Sequence, residues 1–305
     1  MHELLERLDI RHECHVPLAP LTWYGLGGPA KVLAHPASVE QLAALVAACD
    51  EQAIPVYVLG SGANLLVADE GVDGLVVTLD EPAFKQLQID GNVVTAGAGF
   101  DLAKLVLETA RAGLGGLECL AGIPASVGGA VRMNAGGAFG DIGQAVCRVQ
   151  VMDAHGRTYT RDRDDLRFGY RTTNIVAPYI LQARFELTPD DPDALMRRVK
   201  EVFLYKKNSQ PLADHSAGCA FRNPDADAGG NPRGFGSVSA GCLIEQAGLK
   251  GYRVGGASVS TLHANFIVTH QPCTASDVLA VLEHVHRTVL DRFGIDLQRE
   301  VVLWP

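Results

Sequence analysis

Backbone amides set free by glycine are the first chemistry this sequence offers. The strand-like run Val56-Tyr57-Val58-Leu59 enters Gly60-Ser61-Gly62-Ala63-Asn64. Without a Cβ the chain turns tightly and brings its N–H groups up to an anion such as a phosphate. A second cluster is denser: 121–137 reads AGIPASVGGAVRMNAGG, with glycines at 122, 128, 129, 136 and 137. Small side chains at that density suit backbone packed on a flat ligand, or a tight helix contact. A loop built only to turn would be more polar. Thr22 with Gly25, Gly27 and Gly28 forms a third cluster. A lone GSG is ordinarily a turn between strands. Three clusters before residue 140 point instead to one large cofactor wrapped by several loops.

The spacing excludes the commonest nucleotide sites. A dinucleotide fingerprint needs another glycine three residues after Gly62, then a helix. That position is Leu65, and the following LVADEGVDG turns again. A pyrophosphate here would sit in a nest of amides rather than on a helix N-terminus. No G-x-x-x-x-G-K-[ST] occurs either. Net charge is −9, which argues against nucleic acid as a partner. Local cations such as Lys206-Lys207 and Arg222 still suit a small anionic ligand. The 7 cysteines are odd in number and show no CxxC, so neither a disulfide framework nor a zinc site is expected. His12, Cys14 and His15 lie close together near an N-terminus expected to be mobile, and no metal is assigned to them. MHELLERLDI lacks an apolar h-region, and no apolar run is long enough to span a membrane, so a cytoplasmic protein is expected.

Short apolar strands alternate with amphipathic helices along the chain. Strands are expected at 31–34, 56–59, 75–79 and 179–187, with a hairpin of 147–152 and 157–161 turning at Asp153–Gly156. Ser38 and Gln41 predict a helix over 39–52. Asp101 opens another that Gly113 ends. The Pro/Asp-rich 188–193 cannot continue a strand and marks the main boundary. Beyond it come a helix over about 193–206 and a Gly/Pro-rich loop over 208–236. A short helix from Ser239, a strand at 266–269, a helix over 276–293 and a strand around 299–303 complete the chain. The class is α+β in at least two domains.

Eight stretches, in order, resemble the UDP-N-acetylenolpyruvoylglucosamine reductases, flavoenzymes of bacterial peptidoglycan-precursor synthesis. They are TWYGLGGPA (22–30), VLGSGANLL (58–66), GIPASVGGAVRMNAG (122–136), FGYR (168–171), SAGCAFRNP (216–224), SAGCLIEQAGLKGYRVGGA (239–257), HANFIV (263–268) and REV (299–301). The resemblance implies an N-terminal segment (1–19), an FAD-binding domain of the vanillyl-alcohol-oxidase (PCMH) type (20–188) and a C-terminal α+β substrate domain (194–305). It also implies non-covalent FAD, NADPH as hydride donor, a nucleotide-sugar substrate and a monomer. Only a few residues separate Arg171 from the 179–187 strand, so the chain resembles the shorter subtype, which lacks a Tyr-bearing lid. By the same resemblance FAD falls to Thr22, Gly60, Ser61, Gly62, Ala63, Asn64, Leu65, Ala121, Gly122, Ser126, Val127, Gly129 and Asn134. Another FAD oxidoreductase of this fold, acting on a different alcohol or sugar, is the competing reading. The two FAD loops contain no His for a covalent tether.

Reducing an enol ether of pyruvate needs hydride at one carbon and a proton at its neighbour, with negative charge building on the carboxylate between those steps. The resemblance assigns Arg171 to that carboxylate, which its planar fork matches. A salt bridge to Asp162, Asp164 or Asp165 is the plainer alternative. Cys219 falls where the family more often has a proton-donating Ser. An ordinary thiol, with a pKa of about 8.5, is a far better acid than an alkanol. A small buried hydrophobe is its plainer role. Glu300 matches a catalytic carboxylate. Tyr170, Lys206, Asn223 and His263 fall at or beside substrate contacts, with an exposed, solvated lysine the plainer role for Lys206.

Overall fold

Capping residues fix where the helices begin. The computed structural model describes residues 1–224 and 239–305. Its helices are α1 (His2–Arg7), α2 (Val39–Glu51), α3 (Leu102–Arg111), α4 (Val127–Arg132), α5 (Pro192–Ser209), α6 (Ala240–Gln246) and α7 (Ala275–Phe293). At α2 the Ser38 hydroxyl accepts from the Gln41 N–H at 3.2 Å, while the Gln41 side chain accepts from the Ala37 N–H at 2.7 Å. Leu42, Leu45, Val46 and Cys49 then fall on one buried face, the helical spacing read in the sequence. Thr274 and Asp277 form a reciprocal capping box on α7, and Gly294 ends it at φ 70°.

The chain forms two compact units. The first comprises Met1–Val16, Ala30–Ser61 and Asp73–Lys206. A four-stranded sheet orders its strands as Arg11–Pro17, Pro29–His35, Val72–Thr78 and Val56–Leu59, the last pair parallel. A five-stranded antiparallel sheet runs Thr158–Asp162, Val146–Met152, Tyr179–Glu186, Val93–Gly97, Leu87–Asp90. One continuous core fills this unit, from Leu5 through Leu105 and Phe185 to Val202.

The second unit comprises Pro17–Pro29, Gly62–Val72 and Lys207–Pro305. A three-stranded antiparallel sheet of Arg253–Val254, Ala257–Val259 and Ile267–Thr269 packs with α6 and α7. The early segments belong here for a visible reason. Leu65–Val67 pairs in parallel with Val302–Trp304. Asp69 takes the N–H groups of Ala275 (2.7 Å) and Ser276 (3.0 Å) at the start of α7. Burial pushes the Asp69 carboxyl up, but these bonds and the Ser276 hydroxyl outweigh it and hold it below the usual range.

Two expectations change. The N-terminal segment, expected to be mobile, forms α1 and an edge strand, Arg11–Pro17. That strand has no buried residue, so no apolar alternation announces it. The glycine-rich 121–129 segment is not all loop, because α4 begins at Val127. Of the Gly/Pro-rich loop expected over 208–236, residues 225–236 lie outside the described residues.

Candidate active site

In the first unit the two glycine-rich segments meet. A Cβ on Gly60 would lie 2.7 Å from the Ser126 hydroxyl, so only glycine allows this approach. Ser126 caps α4 through the Gly129 N–H at 3.3 Å. The Val127 N–H donates to Phe100 O and the Gly128 N–H to Ala98 O. These bonds use up the amides of 127–129. The main-chain donors of Val127 and Gly129, assigned to FAD by resemblance, are thus already bonded within the protein. The amides of Ser61 to Asn64 differ: among the described residues no acceptor takes them. Unpaired donors on a glycine turn fit the pyrophosphate of FAD.

Asn134, assigned to FAD by resemblance, also carries a structural task. It is 2% exposed with φ 44°, a conformation asparagine tolerates. Its amide donates to Gly169 O at 2.8 Å and accepts from the Gly143 N–H at 3.0 Å. Asn134 thereby holds the hairpin of Phe168–Gly169 and Thr172–Thr173. The tip of that hairpin is Tyr170-Arg171. Arg171 sits at φ 53°, which costs a non-glycine residue roughly 1–3 kcal/mol. Its guanidinium lies 5.2 Å from the Tyr170 ring centroid. Of the acidic partners considered for Arg171, Asp162 is engaged by Arg148.

Lys206, on α5, is 5% exposed, which excludes the solvated alternative. Its ammonium donates to Ala121 O at 2.7 Å and Cys119 O at 3.2 Å. Burial, with the Arg171 charge acting the same way and Cys119 opposing, lowers its pKa to about 8.

In the second unit the remaining assignments gather around one strand ending. The Thr22 hydroxyl donates to Leu26 O at 2.7 Å. Gly62 has φ 66°, and a Cβ there would lie 2.0 Å from Leu21 O. The Trp23 N–H donates to Gly62 O at 3.1 Å, closing this turn on Thr22's segment. Asn64 then donates through its side chain to Glu300 O at 3.1 Å, and Val302 N–H returns to Asn64 O at 3.0 Å. The turn assigned to the cofactor is thus bonded to Glu300 itself and to the start of the strand that follows it.

Half-buried Cys219 pairs with Phe266 in an antiparallel bridge, and Phe221 does so with Arg299. The Glu300 N–H donates to Ala220 O at 2.9 Å, which sets Glu300 on the segment next to Cys219. Asn265 holds this arrangement, and sequence reasoning did not single it out. It is 3% exposed, accepts from the Phe221 N–H at 3.0 Å and donates to Phe221 O at 2.7 Å. Its position between apolar neighbours in HANFIV was the available signal, since a buried amide must be bonded.

His263 accepts at Nδ1 from the Asn265 N–H at 3.2 Å and packs edge-on to Phe266. Burial, reinforced by Lys250, holds its imidazole below the usual pKa, so it offers a neutral hydrogen-bonding edge rather than a cation. The Asn223 side chain accepts from the Ala240 N–H at 3.0 Å, which caps α6. That is a structural task beside its expected substrate contact.

Residues 30–161 match an FAD binding domain. A mixed α+β domain of that kind, with unpaired glycine-turn amides, defines an FAD-dependent oxidoreductase. Residues 210–304 match the UDP-N-acetylenolpyruvoylglucosamine reductase C-terminal domain. The chain belongs to the UDP-N-acetylenolpyruvoylglucosamine reductase family. The reductase of Heliobacterium modesticaldum is 43% identical over 287 residues, covering 93% of this chain and 88% of that protein. The Moorella thermoacetica reductase is 39% identical over 303 residues, covering 99% and 96%. The crystal structure of the Thermus caldophilus reductase superposes with a TM-score of 0.79 at 38% identity, covering 97% of this chain and 99% of that one.

Proposed function

We propose that this chain reduces UDP-N-acetylglucosamine enolpyruvate to UDP-N-acetylmuramate for peptidoglycan synthesis, acting as a cytoplasmic monomer. Bound FAD supplies the hydride relay from NADPH to the enolpyruvyl double bond. The protein's own groups supply position, charge and a proton. The amides of Ser61 to Asn64 hold the cofactor's pyrophosphate. Arg171, poised on its strained hairpin tip, binds the substrate carboxylate and stabilises the charge that grows there. Cys219 holds the proton that the substrate carbon takes up, and Glu300 assists at the carboxyl or in the proton relay. Tyr170 and His263 line the nucleotide sugar.

One observation carries the reading. Cys219 and Glu300, distant in sequence, lie on segments joined directly by the Glu300 N–H to Ala220 O bond. An acid and a carboxylate held on neighbouring main chain suit protonation beside a carboxyl group. Among the described residues no helix is long and apolar enough to cross a membrane. The test is product analysis: protein, NADPH and the enolpyruvyl sugar should give a product heavier by one hydride and one proton. NADPH oxidation without that product, but with another alcohol or sugar transformed, would favour a different flavin oxidoreductase.

A further inference from the structure

Lys206 is an awkward residue to bury. Its stem packs on Gly122, where an added Cβ would lie 3.4 Å from Lys206 Cδ and 3.3 Å from Phe203 Cδ2. A methionine would fill much the same volume without desolvating a charge. The ammonium adds something methionine cannot. The turn Glu118–Leu120 leaves the carbonyls of Cys119 and Ala121 unpaired: among the described residues no main-chain N–H reaches either. The Lys206 ammonium bonds both, and Ala121 is itself 4% exposed. Helix α5 therefore holds the turn that opens the glycine-rich cofactor segment, by a charged group above and an apolar stem alongside.

We infer that Lys206 is a positioning residue for FAD: its ammonium fixes the Cys119 and Ala121 carbonyls, and with them the Gly122–Gly129 segment that faces the cofactor. This rests on the reading of that segment as part of the FAD site. It reassigns Lys206 away from the substrate diphosphate.

The charge state of the tie is open to test. The groups in its field are the Arg171 guanidinium and the Cys119 thiol, with Glu118 and Asp141 acting on that thiol. Burial pushes the thiol up to about 11, so Lys206 loses its proton first, near pH 8. Above that value the tie weakens from charge-assisted to neutral hydrogen bonds. Stability moves the other way. The unfolded chain keeps this proton up to its ordinary 10.5 and so binds more protons between about 8 and 10.5. The contribution of Lys206 to unfolding free energy therefore rises with pH in that window. A merely structural lysine gives no reason for FAD affinity to fall while this contribution to stability rises.

The experiment measures FAD dissociation from holoprotein by flavin fluorescence on dilution, across pH, for wild type, Lys206→Arg and Lys206→Met. Wild-type affinity should fall roughly three- to tenfold as pH rises through the titration, the size of a lost charge assistance. Lys206→Arg stays charged and should be flat, which also controls for titration of the flavin. Lys206→Met should bind roughly tenfold more weakly at neutral pH, with no alkaline limb. Wild-type affinity in Lys206→Met, with a raised KM for the nucleotide sugar, would restore the diphosphate role and overturn the inference. An alkaline fall in Lys206→Arg equal to that of wild type would overturn it as well. If Lys206→Met does not fold, the comparison of Lys206→Arg with wild type decides. Wild-type protein that binds no FAD would instead sink the underlying functional reading.

Discussion

Asn265→Ala should damage one half of the reaction and spare the other. The Asn265 side chain makes both bonds to Phe221, at 3.0 Å from its N–H and 2.7 Å to its C=O. Phe221 is 1% exposed, so water cannot replace the lost partner. Each main-chain group left unpaired costs about 1–3 kcal/mol, or roughly 2–6 kcal/mol for the pair. That is a large part of a typical folding free energy of about 5–15 kcal/mol. The Ala220 N–H to Asn265 O bond is main-chain and survives the substitution. The segment should therefore loosen rather than detach. Urea denaturation of the holoprotein should show a clearly lower midpoint. In rapid mixing, NADPH should still bleach the flavin at near the wild-type rate. Re-oxidation by substrate should slow by roughly tenfold or more, because Cys219 and Glu300 lose their common anchor. A wild-type midpoint with unchanged re-oxidation would refute the reasoning.

Further substitutions separate the roles proposed above. Cys219→Ala should leave NADPH bleaching intact but stop useful re-oxidation by substrate, while Cys219→Ser keeps much of the activity; normal turnover by Cys219→Ala, followed spectrophotometrically, would remove the proton-donor role. Arg171→Ala should slow re-oxidation and spare flavin reduction, and equal loss in both rapid-mixing phases would indicate misfolding instead. Gly60→Ala places a methyl 2.7 Å from the Ser126 hydroxyl, which must leave its cap on α4. That costs roughly 0.5–2 kcal/mol and should weaken FAD binding in a fluorescence titration. Adding Ser126→Gly should recover part of the affinity, and no recovery would mean that the close approach is not what Gly60 provides.

Much of the local structure was legible because local rules decided it. The Ser38–Gln41 pattern placed a helix at 39–52, and the structure begins it at Val39 and ends it at Glu51. The hairpin at Asp153–Gly156 and the long C-terminal helix followed likewise from turn and periodicity signals. What failed to show was non-local. The exposed edge strand Arg11–Pro17 has no buried face to pattern it. Helix α4 is six residues with two glycines, poor helix material by propensity, and bonds from Ala98 and Phe100 hold its first turn. Asp69, capping α7 across some two hundred positions of sequence, carries no local mark.

The site divides the same way. Glycine density signalled close approach, and Gly60 does lie tight against the Ser126 side chain. It could not say which amides stay unpaired, since that depends on acceptors from Ala98 and Phe100. Glu300, as one carboxylate near the end of a chain, was readable only through the ordered family motifs. Lys206 was expected beside the substrate, with a solvated cation as its plainer role, and neither its neighbour Lys207 nor the polar helix signals a 5% exposed side chain.

The central claim is that this fold holds a flavin that NADPH reduces and an enolpyruvyl nucleotide sugar re-oxidises. The most direct measurement is an anaerobic titration of the purified protein, first with NADPH and then with UDP-N-acetylglucosamine enolpyruvate, following visible flavin absorbance. The yellow band should vanish on NADPH and return in stoichiometric proportion to added substrate. A colourless protein that takes up no FAD, or a reduced flavin that the sugar leaves bleached, would contradict it.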